Sequence, residues 1–253
     1  MKPGARLQAS IELLGFIWED KTPPNLILQD YFRRRRYIGG KDRRVITKRV
    51  YDILRRRARL MWWIESTKLG LKPSPRLCLI LDLALVDGMN ADQILSLFSG
   101  DQYCPIELND SEKILANSLT GQILNHPDMP RPIAFEYPGW MDHLLLNLWG
   151  DRFEEEIAAF NQSAPVDLRV NSLKTSRQEA QFLLSKEGVT SSPTPFSPVG
   201  LRIHGHQRLE QSSAFQGGFV EVQDEGSQLL AILVGAKPGM TVIDFCAGAG
   251  GKT

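Results

Sequence analysis

Apolar residues recur at helical spacing through roughly the first 135 residues of the chain. Ile11, Leu14 and Ile17 lie on one face of the first predicted helix, which ends before the pair Pro23-Pro24. Further runs of the same kind are Leu26 to Tyr31, Val45 to Met61, Leu77 to Val86, Ala91 to Phe98 and Ser111 to Leu119. No segment here alternates between apolar and polar residues like a strand. The pattern predicts an all-α bundle over residues 1–135.

The pattern changes after the proline-rich stretch HPDMPRPIAFEYPGW. Met141 to Phe160 predicts one further helix. Val166 to Leu173 alternates like a strand, and Thr175 is placed to cap a helix from Ser176 to Lys186. Strand-like pieces follow at Leu201–Ile203 and Gly218–Val222. Residues 136–220 are therefore predicted to form a linker helix and a small α+β module.

Residues 221–253 have the pattern of the start of a doubly wound α/β domain. Ser227 to Val234 predicts an apolar helix, and Thr241 to Phe245 predicts a buried strand that leads into the loop DFCAGAGGKT. A strand that runs into a glycine-rich turn is typical of Rossmann-like folds. A single strand cannot form a parallel sheet, so we expect the sequence to be a fragment of a longer protein.

The glycine loop is compatible with several ligands. A phosphate-binding P-loop requires a glycine at position 246, which holds Cys246, and a dinucleotide site of GxGxxG type requires one at position 253, which holds Thr253. An S-adenosylmethionine loop fits the acidic Asp244 at the strand end, with room for the cofactor at Gly248 and Gly250. A turn that binds nothing is the remaining interpretation.

Composition argues against several classes of protein. The N-terminal segment is too polar for a signal peptide, and no apolar run reaches the roughly 18 residues of a membrane span. Cys78, Cys104 and Cys246 are far apart and odd in number, so they indicate neither a disulfide framework nor a metal site. His204 and His206 lack the companions that a metal would need. We expect a soluble cytoplasmic protein without a metal or membrane contact.

A concentrated basic block interrupts a chain whose net charge is only +1. Thirteen basic residues and two acidic ones lie between Arg33 and Arg59. Such a block is either a solvated helix face or an electrostatic footprint for a polyanion, and its density favours contact with an RNA backbone. The candidate residues are Arg33, Arg34, Arg35, Arg36, Arg43, Arg44, Arg55, Arg56 and Arg57.

Four segments together resemble one enzyme family. They are VQDEGSQLLA (222–231), PGMTVIDFCAGAGGKT (238–253), DLRVNSLK (167–174) and YPGWMDHLLLNLWGD (137–151). The chain thereby resembles the Sun/RsmB-like S-adenosylmethionine-dependent RNA cytosine-C5 methyltransferases, whose usual pattern is close to VQDEASQL, PG and D-x-CAAPGGKT. It has Gly226 for the usual alanine, and Ala247-Gly248-Ala249 stands where the usual pattern has AAP. Its helical front resembles the NusB-like RNA-binding domain of the bacterial ribosomal RNA members.

The resemblance implies a function and a set of sites. It implies transfer of a methyl group to C5 of a cytosine in 16S-type ribosomal RNA. Arg169 and Asn171 would lie near the RNA. The cofactor loop would comprise Asp244, Cys246, Ala247, Gly248, Ala249, Gly250, Gly251 and Lys252. Cys246 would not be the nucleophile, and we expect no catalytic residue in the chain, because the family's two catalytic cysteines belong to later motifs. The alternative is a non-catalytic, antitermination-like RNA-binding protein.

Overall fold

A computed structural model describes residues 1–205, 209–248 and 250–252. Its contacts divide the chain into two units, Met1–Gln162 and Ser163–Thr253. The helices of the first unit are α1 (Pro3–Glu19), α2 (Pro24–Arg34), α3 (Gly40–Arg55), α4 (Arg57–Ser66), α5 (Pro75–Leu85), α6 (Ala91–Leu97), α7 (Asp110–Ser118), α8 (Arg131–Ala134), α9 (Asp142–Trp149) and α10 (Phe153–Phe160). Residues 1–135 are all described and contain helices without a strand, as predicted.

Local signals set where several of these helices begin. The Ser74 hydroxyl accepts a hydrogen bond from the Leu77 amide at the start of α5. Asn90 and Asn109 cap α6 and α7, and in each case the residue three positions later bonds back to the amide of the cap. These reciprocal bonds satisfy backbone N–H groups that a helix leaves without an internal partner. The starts of these helices can therefore be read from the sequence.

Helix α5 lies at the centre of the first unit. Every residue from Leu77 to Leu85 is buried, as expected for a helix that is apolar on all sides. Leu13 and Leu14 of α1 and Ile46 of α3 belong to the same fully buried core. One acidic residue of α5, Asp82, is therefore enclosed among apolar side chains. In the part of the chain that the structure describes, no helix is long and apolar enough to cross a membrane.

The single helix predicted for Met141 to Phe160 is wrong. Gly150 has a φ of 51° and separates α9 from α10. A residue in this left-handed region interrupts a helix, and glycine reaches it without steric cost. The break lets Phe153 pack edge-on against both Phe135 and Tyr137. The packing of Phe153 therefore accompanies an interruption of the helix at Gly150.

A charged cluster joins α8 to the start of α9. Asp142 accepts two hydrogen bonds from Arg131, at 3.0 and 2.8 Å, and a third from the hydroxyl of Tyr137. The Arg131 and Tyr137 bonds hold the pKa of Asp142 at about 2, below its ordinary 3.8. Burial, together with the bond to Asp142, raises the pKa of Tyr137 to about 12.

We expect this cluster to make stability depend on acid pH. Because the pKa of Asp142 is lower in the folded state, its contribution is complete above pH 3.8 and is lost as the pH falls towards 2. The free energy of unfolding, measured by urea titration across this range, should fall less steeply for Asp142→Asn than for the unchanged protein. Identical slopes for the two proteins would contradict this assignment.

The second unit is built on a small antiparallel sheet. Its strands are β1 (Val166–Val170), β2 (Ser191–Pro193), β3 (Gly200–Ile203) and β4 (Val220–Val222), and their order in the sheet is β2-β3-β1-β4. Its helices are α11 (Arg177–Lys186), α12 (Ser213–Gln216) and α13 (Glu225–Val234). Leu168, Leu201 and Val220 from the sheet share a core with Ala180 and Leu184 of α11. The predicted α+β character of this segment is present.

Several boundaries in this unit differ from the prediction. The cap of α11 is Ser176, whose hydroxyl accepts from the Glu179 amide at 3.2 Å, and not Thr175. Strand β1 ends at Val170, because Asn171 turns the chain by accepting a hydrogen bond from the Leu173 amide. Strand β2 was not predicted, since its sequence SSP has no apolar alternation. Hydrogen bonds to β3 define it instead.

The strand predicted at Thr241 to Phe245 is absent from the structure, where residues 241–245 have no strand hydrogen bonds. Ile243 and Phe245 are 84% and 95% exposed. A parallel strand gains stability from hydrogen-bonded neighbours and from helices that cover both faces. No other strand of the described residues pairs with this segment. Apolar sequence alone is therefore insufficient to make it a strand.

Candidate functional site

The basic block extends from the last turn of α2 through α3 to the start of α4. Arg33 and Arg34 occupy the final turn of α2, where a cation interacts favourably with the helix dipole. Both side chains are 72% exposed, although Asp30 pairs with each of them. Arg36 and Arg44 are also exposed. This part of the block presents positive charge to solvent.

Arg55 and Arg57 extend the exposed charge to the junction of α3 and α4. The guanidinium of Arg55 is 3.4 Å from the Asp52 carboxylate and faces the Tyr51 ring. Arg57 lies 4.5 Å from the centroid of the Trp18 ring. Stacking of this kind orders the stem of an arginine and leaves its N–H groups available at the edge of the guanidinium.

Other arginines of the block form ion pairs with acidic residues of the same unit. Asp82, which has no exposed surface, accepts from Arg49 at 2.5 Å and from Arg56 at 2.7 Å. Burial raises the pKa of Asp82, and the two guanidiniums oppose that rise by favouring the charged carboxylate. Arg49 also contacts Asp87 at 2.6 Å. Arg56, a predicted RNA contact, therefore has a structural partner in the core.

Glu136 forms a second charged anchor for the block. Its carboxylate accepts from the amides of Ala58 and Arg59 at the start of α4, and from Nε of Arg59 at 2.9 Å. Glu136 itself has a φ of 61°, which is uncommon for a residue with a side chain. It therefore caps α4 from 77 residues further along the chain.

Two further predicted RNA contacts are half-buried. Arg35 pairs with Glu12 at 3.2 Å and lies 3.8 Å from the centroid of the Tyr31 ring. Arg43 donates from Nε to the Ile38 carbonyl at 2.7 Å. The nine predicted arginines thus divide into exposed and internally bonded groups. The division was not visible in the sequence, because Arg35 and Arg56 meet acidic partners that lie 23 and 26 positions away.

Arg169 and Asn171, the two candidates in the second unit, lie at the strand β1 and the turn that follows. Arg169 pairs with Glu221, its cross-strand neighbour on β4. The Asn171 side chain donates to the Gly218 carbonyl at 3.2 Å and accepts from the Leu173 amide. Asn171 is thus half-buried and connects the end of β1 to the segment before β4.

The segment VQDEG, at the start of α13, supplies a buried polar network that sequence reasoning did not assign. Glu225 accepts from the amides of Phe196 and Ser197 at 2.6 and 2.7 Å. Gln228 accepts from the Ser197 hydroxyl at 2.7 Å and donates to the Gln223 carbonyl at 2.9 Å. Burial alone would raise the pKa of Glu225, but these amides and Arg202 hold it below its ordinary value. The network fixes the start of α13 to the segment between β2 and β3.

Truncation of Gln228 should destabilise the second unit. Gln228→Ala leaves the Ser197 hydroxyl and the Gln223 carbonyl without these partners at a site where Gln228 is 1% exposed. We expect the free energy of unfolding to fall by about 1–3 kcal/mol in denaturant titrations. The matched control is Gln216→Ala, because Gln216 is exposed. Equal losses for the two variants would contradict the role of the network.

The glycine loop contacts this network through Gln223. Gln223 donates a side-chain hydrogen bond to the Gly251 carbonyl, and its own amide bonds to the Asp167 carbonyl of β1 at 3.0 Å. Gly248 and Gly250 have φ values of 56° and 80°. The Cys246 amide donates to Asp244 at 3.2 Å, and the Gly250 amide donates to the Ala247 carbonyl at 2.8 Å. The described loop residues are exposed, and Ala249 lies outside the described residues.

The cysteines and histidines have distinct environments. Burial raises the pKa of Cys78 to about 12, so its thiol stays protonated near neutral pH. Cys104 is half-buried beside Gly4, and Cys246 is exposed in the loop. His204 interacts with the Ser192 hydroxyl at 2.8 Å, whereas His206 is outside the described residues. Within residues 1–205, 209–248 and 250–252, no group of three potential metal ligands is found.

Comparison with known proteins gives consistent similarities. Residues 137–210 match a family described as "Methyltr_RsmF/B-like, ferredoxin-like domain". The chain is 30% identical over 259 aligned positions to a probable ribosomal RNA small subunit methyltransferase B of Synechocystis, covering 90% of this chain and 58% of that protein. It is 32% identical over 119 positions to the ribosomal RNA small subunit methyltransferase B of Vibrio cholerae, covering 47% and 27%.

A solved structure extends the likeness to the fold. The crystal structure of PH0851 aligns with 94% of this chain and 57% of its own, with a TM-score of 0.61 and 22% identity. The chain thus spans a little over half the length of the Synechocystis relative and of this structure, and about a quarter of the Vibrio relative.

Proposed function

We infer, from the premise that this chain belongs to the RsmF/B-like methyltransferase family, that it is part of an S-adenosylmethionine-dependent enzyme that methylates C5 of cytosine in ribosomal RNA. In this proposal residues 1–135 form a NusB-like RNA-binding domain and residues 136–220 form a second RNA-binding module. Residues 221–253 begin a Rossmann-like methyltransferase domain. An enzyme of ribosomal RNA would act in the cytoplasm.

One observation carries the assignment of the cofactor loop. Gln223 holds Gly251 by a side-chain hydrogen bond and is itself bonded to β1. The VQDEG segment therefore positions the glycine loop relative to the sheet. The VQDEG segment and the glycine loop, which are separated in the sequence, are thus joined by a hydrogen bond.

The loop residues fit an adenosine-containing cofactor. Gly248 and Gly250 have backbone conformations that glycine adopts without strain, and a Cβ built at Gly250 or Gly251 would meet no atom within 4 Å. The backbone is thus open to close approach by a ligand. Asp244 and residues 246–252 would line S-adenosylmethionine, whose sulfonium carries the methyl group. Such a ligand has no phosphate that would require a P-loop geometry.

The exposed arginines support an RNA substrate. The exposed arginines Arg33, Arg34, Arg36, Arg44, Arg55 and Arg57 present positive charge on one helical unit, and charge of this density favours phosphate contact. We propose these residues as the primary RNA contacts of that unit. Arg35, Arg43 and Arg56 would act indirectly, by holding the helices that carry the exposed group.

The chemistry requires a nucleophile that we do not assign to this chain. A cysteine thiolate would add to C6 of cytosine, and S-adenosylmethionine, held by Asp244 and residues 246–252, would supply the methyl group to C5. Loss of the C5 proton and expulsion of the thiolate restore the aromatic ring. The high pKa of Cys78 leaves that thiol protonated, Cys104 is half-buried, and Cys246 belongs to the cofactor loop. Residues 1–253 would bind RNA and cofactor without activating the cytosine base.

The purified 253-residue chain tests this proposal. We expect it to bind ribosomal RNA in a filter-binding assay but to form no 5-methylcytosine when S-adenosylmethionine is supplied. Formation of 5-methylcytosine would show that one of the three cysteines is the nucleophile, and failure to bind RNA would refute the RNA-binding role. Calorimetric binding of S-adenosylmethionine that Gly250→Val weakens would support the cofactor loop. RNA binding without cofactor binding would favour the non-catalytic alternative.

A further inference from the structure

An open groove in the helical unit borders the turn that follows α2, and it has no role in the proposal so far. Its volume is about 800 Å³, and it is lined by α1, the end of α2 with the turn that follows, and residues 101–103. The lining includes Lys2, Gln8 and Gln102, with Ala5 and Ala9 between the polar groups. A groove with this mixture of small apolar surface and hydrogen-bonding side chains suits a flat, polar ligand.

Two tyrosine rings stand at the rim of this groove. Tyr37 and Tyr103 both line it, and they are 73% and 70% exposed. Tyr103 has a φ of 69°, a left-handed backbone conformation that residues with side chains adopt at a cost. Its exposed ring makes little contact that would offset this cost within the fold. Strained residues of this kind cluster at sites that bind ligands.

The floor of the groove is polar and held in place. Glu12 accepts from the Tyr31 hydroxyl at 2.8 Å and from Arg35 at 3.2 Å, and it also accepts from Gln8 at 3.1 Å. The Arg35 guanidinium lies 3.8 Å from the Tyr31 ring centroid. These contacts fix the guanidinium with part of its N–H edge still available. The charge of Glu12 is balanced by Arg35, whereas Asp101 supplies a separate acceptor at the rim.

The surroundings of the groove identify its ligand class. Arg33, Arg34 and Arg36 are exposed on the segment that leads into Tyr37. Aromatic rings next to a row of cations are the combination by which proteins hold single-stranded nucleic acid, since bases stack on the rings while phosphates meet the charges. We propose that this groove binds an unpaired RNA base, stacked on Tyr37 and Tyr103. This inference rests on the proposed RNA substrate.

Binding of a short single-stranded RNA that carries a fluorescent adenine analogue tests the proposal on the full chain. Tyr37→Ala and Tyr103→Ala should each weaken binding roughly ten- to a hundredfold, and each should abolish quenching of the analogue. Tyr37→Phe should retain binding, because it keeps the stacking ring. Ile106→Ala is the matched control, since Ile106 is 73% exposed in the same helical unit but lies outside the groove.

Tyr103→Gly separates recognition from folding. Glycine relieves the strain at φ 69° but also loses more conformational freedom on folding, so we expect an unchanged Tm together with weaker RNA binding. If the unchanged protein binds RNA and the tyrosine variants bind it equally well, the groove proposal is overturned while the proposed function stands. If the unchanged protein binds no RNA, both fail together. A Tyr103→Gly variant that is less stable would show that the ring serves the fold.

Discussion

Asp82→Asn should lower the free energy of unfolding of the helical unit by about 3–5 kcal/mol. Asp82 is completely buried in α5, and its two oxygens accept from Arg49 and Arg56 at 2.5 and 2.7 Å. Asparagine preserves the size of the side chain but removes the buried charge that Arg56 and Arg49 share, which leaves Arg49 with Asp87 alone. The arginine side chains are only 24% and 18% exposed, so water replaces the lost carboxylate poorly.

A surface ion pair provides the control for this prediction. Asp30 pairs with Arg33 and Arg34, but its side chain is 37% exposed. Asp30→Asn should therefore change the free energy of unfolding by less than about 1 kcal/mol. Urea denaturation followed by circular dichroism measures both variants. If the free energy of unfolding falls by a similar small amount in both variants, the buried charge of Asp82 does not stabilise this unit as predicted.

The second large effect concerns the dependence of RNA binding on salt. Replacing Arg33, Arg34 and Arg36 together with glutamine should reduce the magnitude of the slope of log affinity against log salt concentration. The expected reduction is roughly 0.7 for each arginine that contacts a phosphate of a single strand, or about 2 in total. These side chains are exposed, so their loss should remove phosphate contacts while leaving the core intact.

Arginines of the same block that bond to residues inside the fold should affect stability and not the salt dependence of RNA binding. Arg59→Gln removes a partner of Glu136 at the start of α4, and Arg49→Gln removes a partner of Asp82. Both variants should lose thermal stability, measured as Tm, while the salt slope of the folded protein stays unchanged. An unchanged salt slope in the triple variant would contradict the division of the basic block into exposed and internally bonded arginines. A reduced slope in Arg59→Gln or Arg49→Gln would contradict it as well.

Local sequence signals predicted most helices of the first unit correctly. Proline at the start of α2 and the caps Ser74, Asn90 and Asn109 act within a single turn. Helical spacing of apolar residues supplied the rest. The same signals failed at Gly150, where packing of Phe153 favours a break, and at Thr241 to Phe245, where an apolar run has no strand beside it.

The fate of several arginines depended on residues far away in the chain. Arg56 meets Asp82 across 26 positions and Arg59 meets Glu136 across 77. One signal was present: a lone acid in the otherwise apolar run LCLILDLAL predicts a buried partner for it, because a buried charge is costly without compensation. The sequence did not indicate which arginines would provide that compensation.

The sequence by itself determined the helical bundle, the α+β character of the second unit and the motif that assigns the family, because these depend on local spacing and residue identity. Only the tertiary structure decided which arginines remain exposed, how Gln223 reaches the glycine loop, and that Tyr37 and Tyr103 border one groove. Each of these depends on contacts between distant segments. Such contacts follow from how helices and strands pack, and packing is a property of the folded chain as a whole.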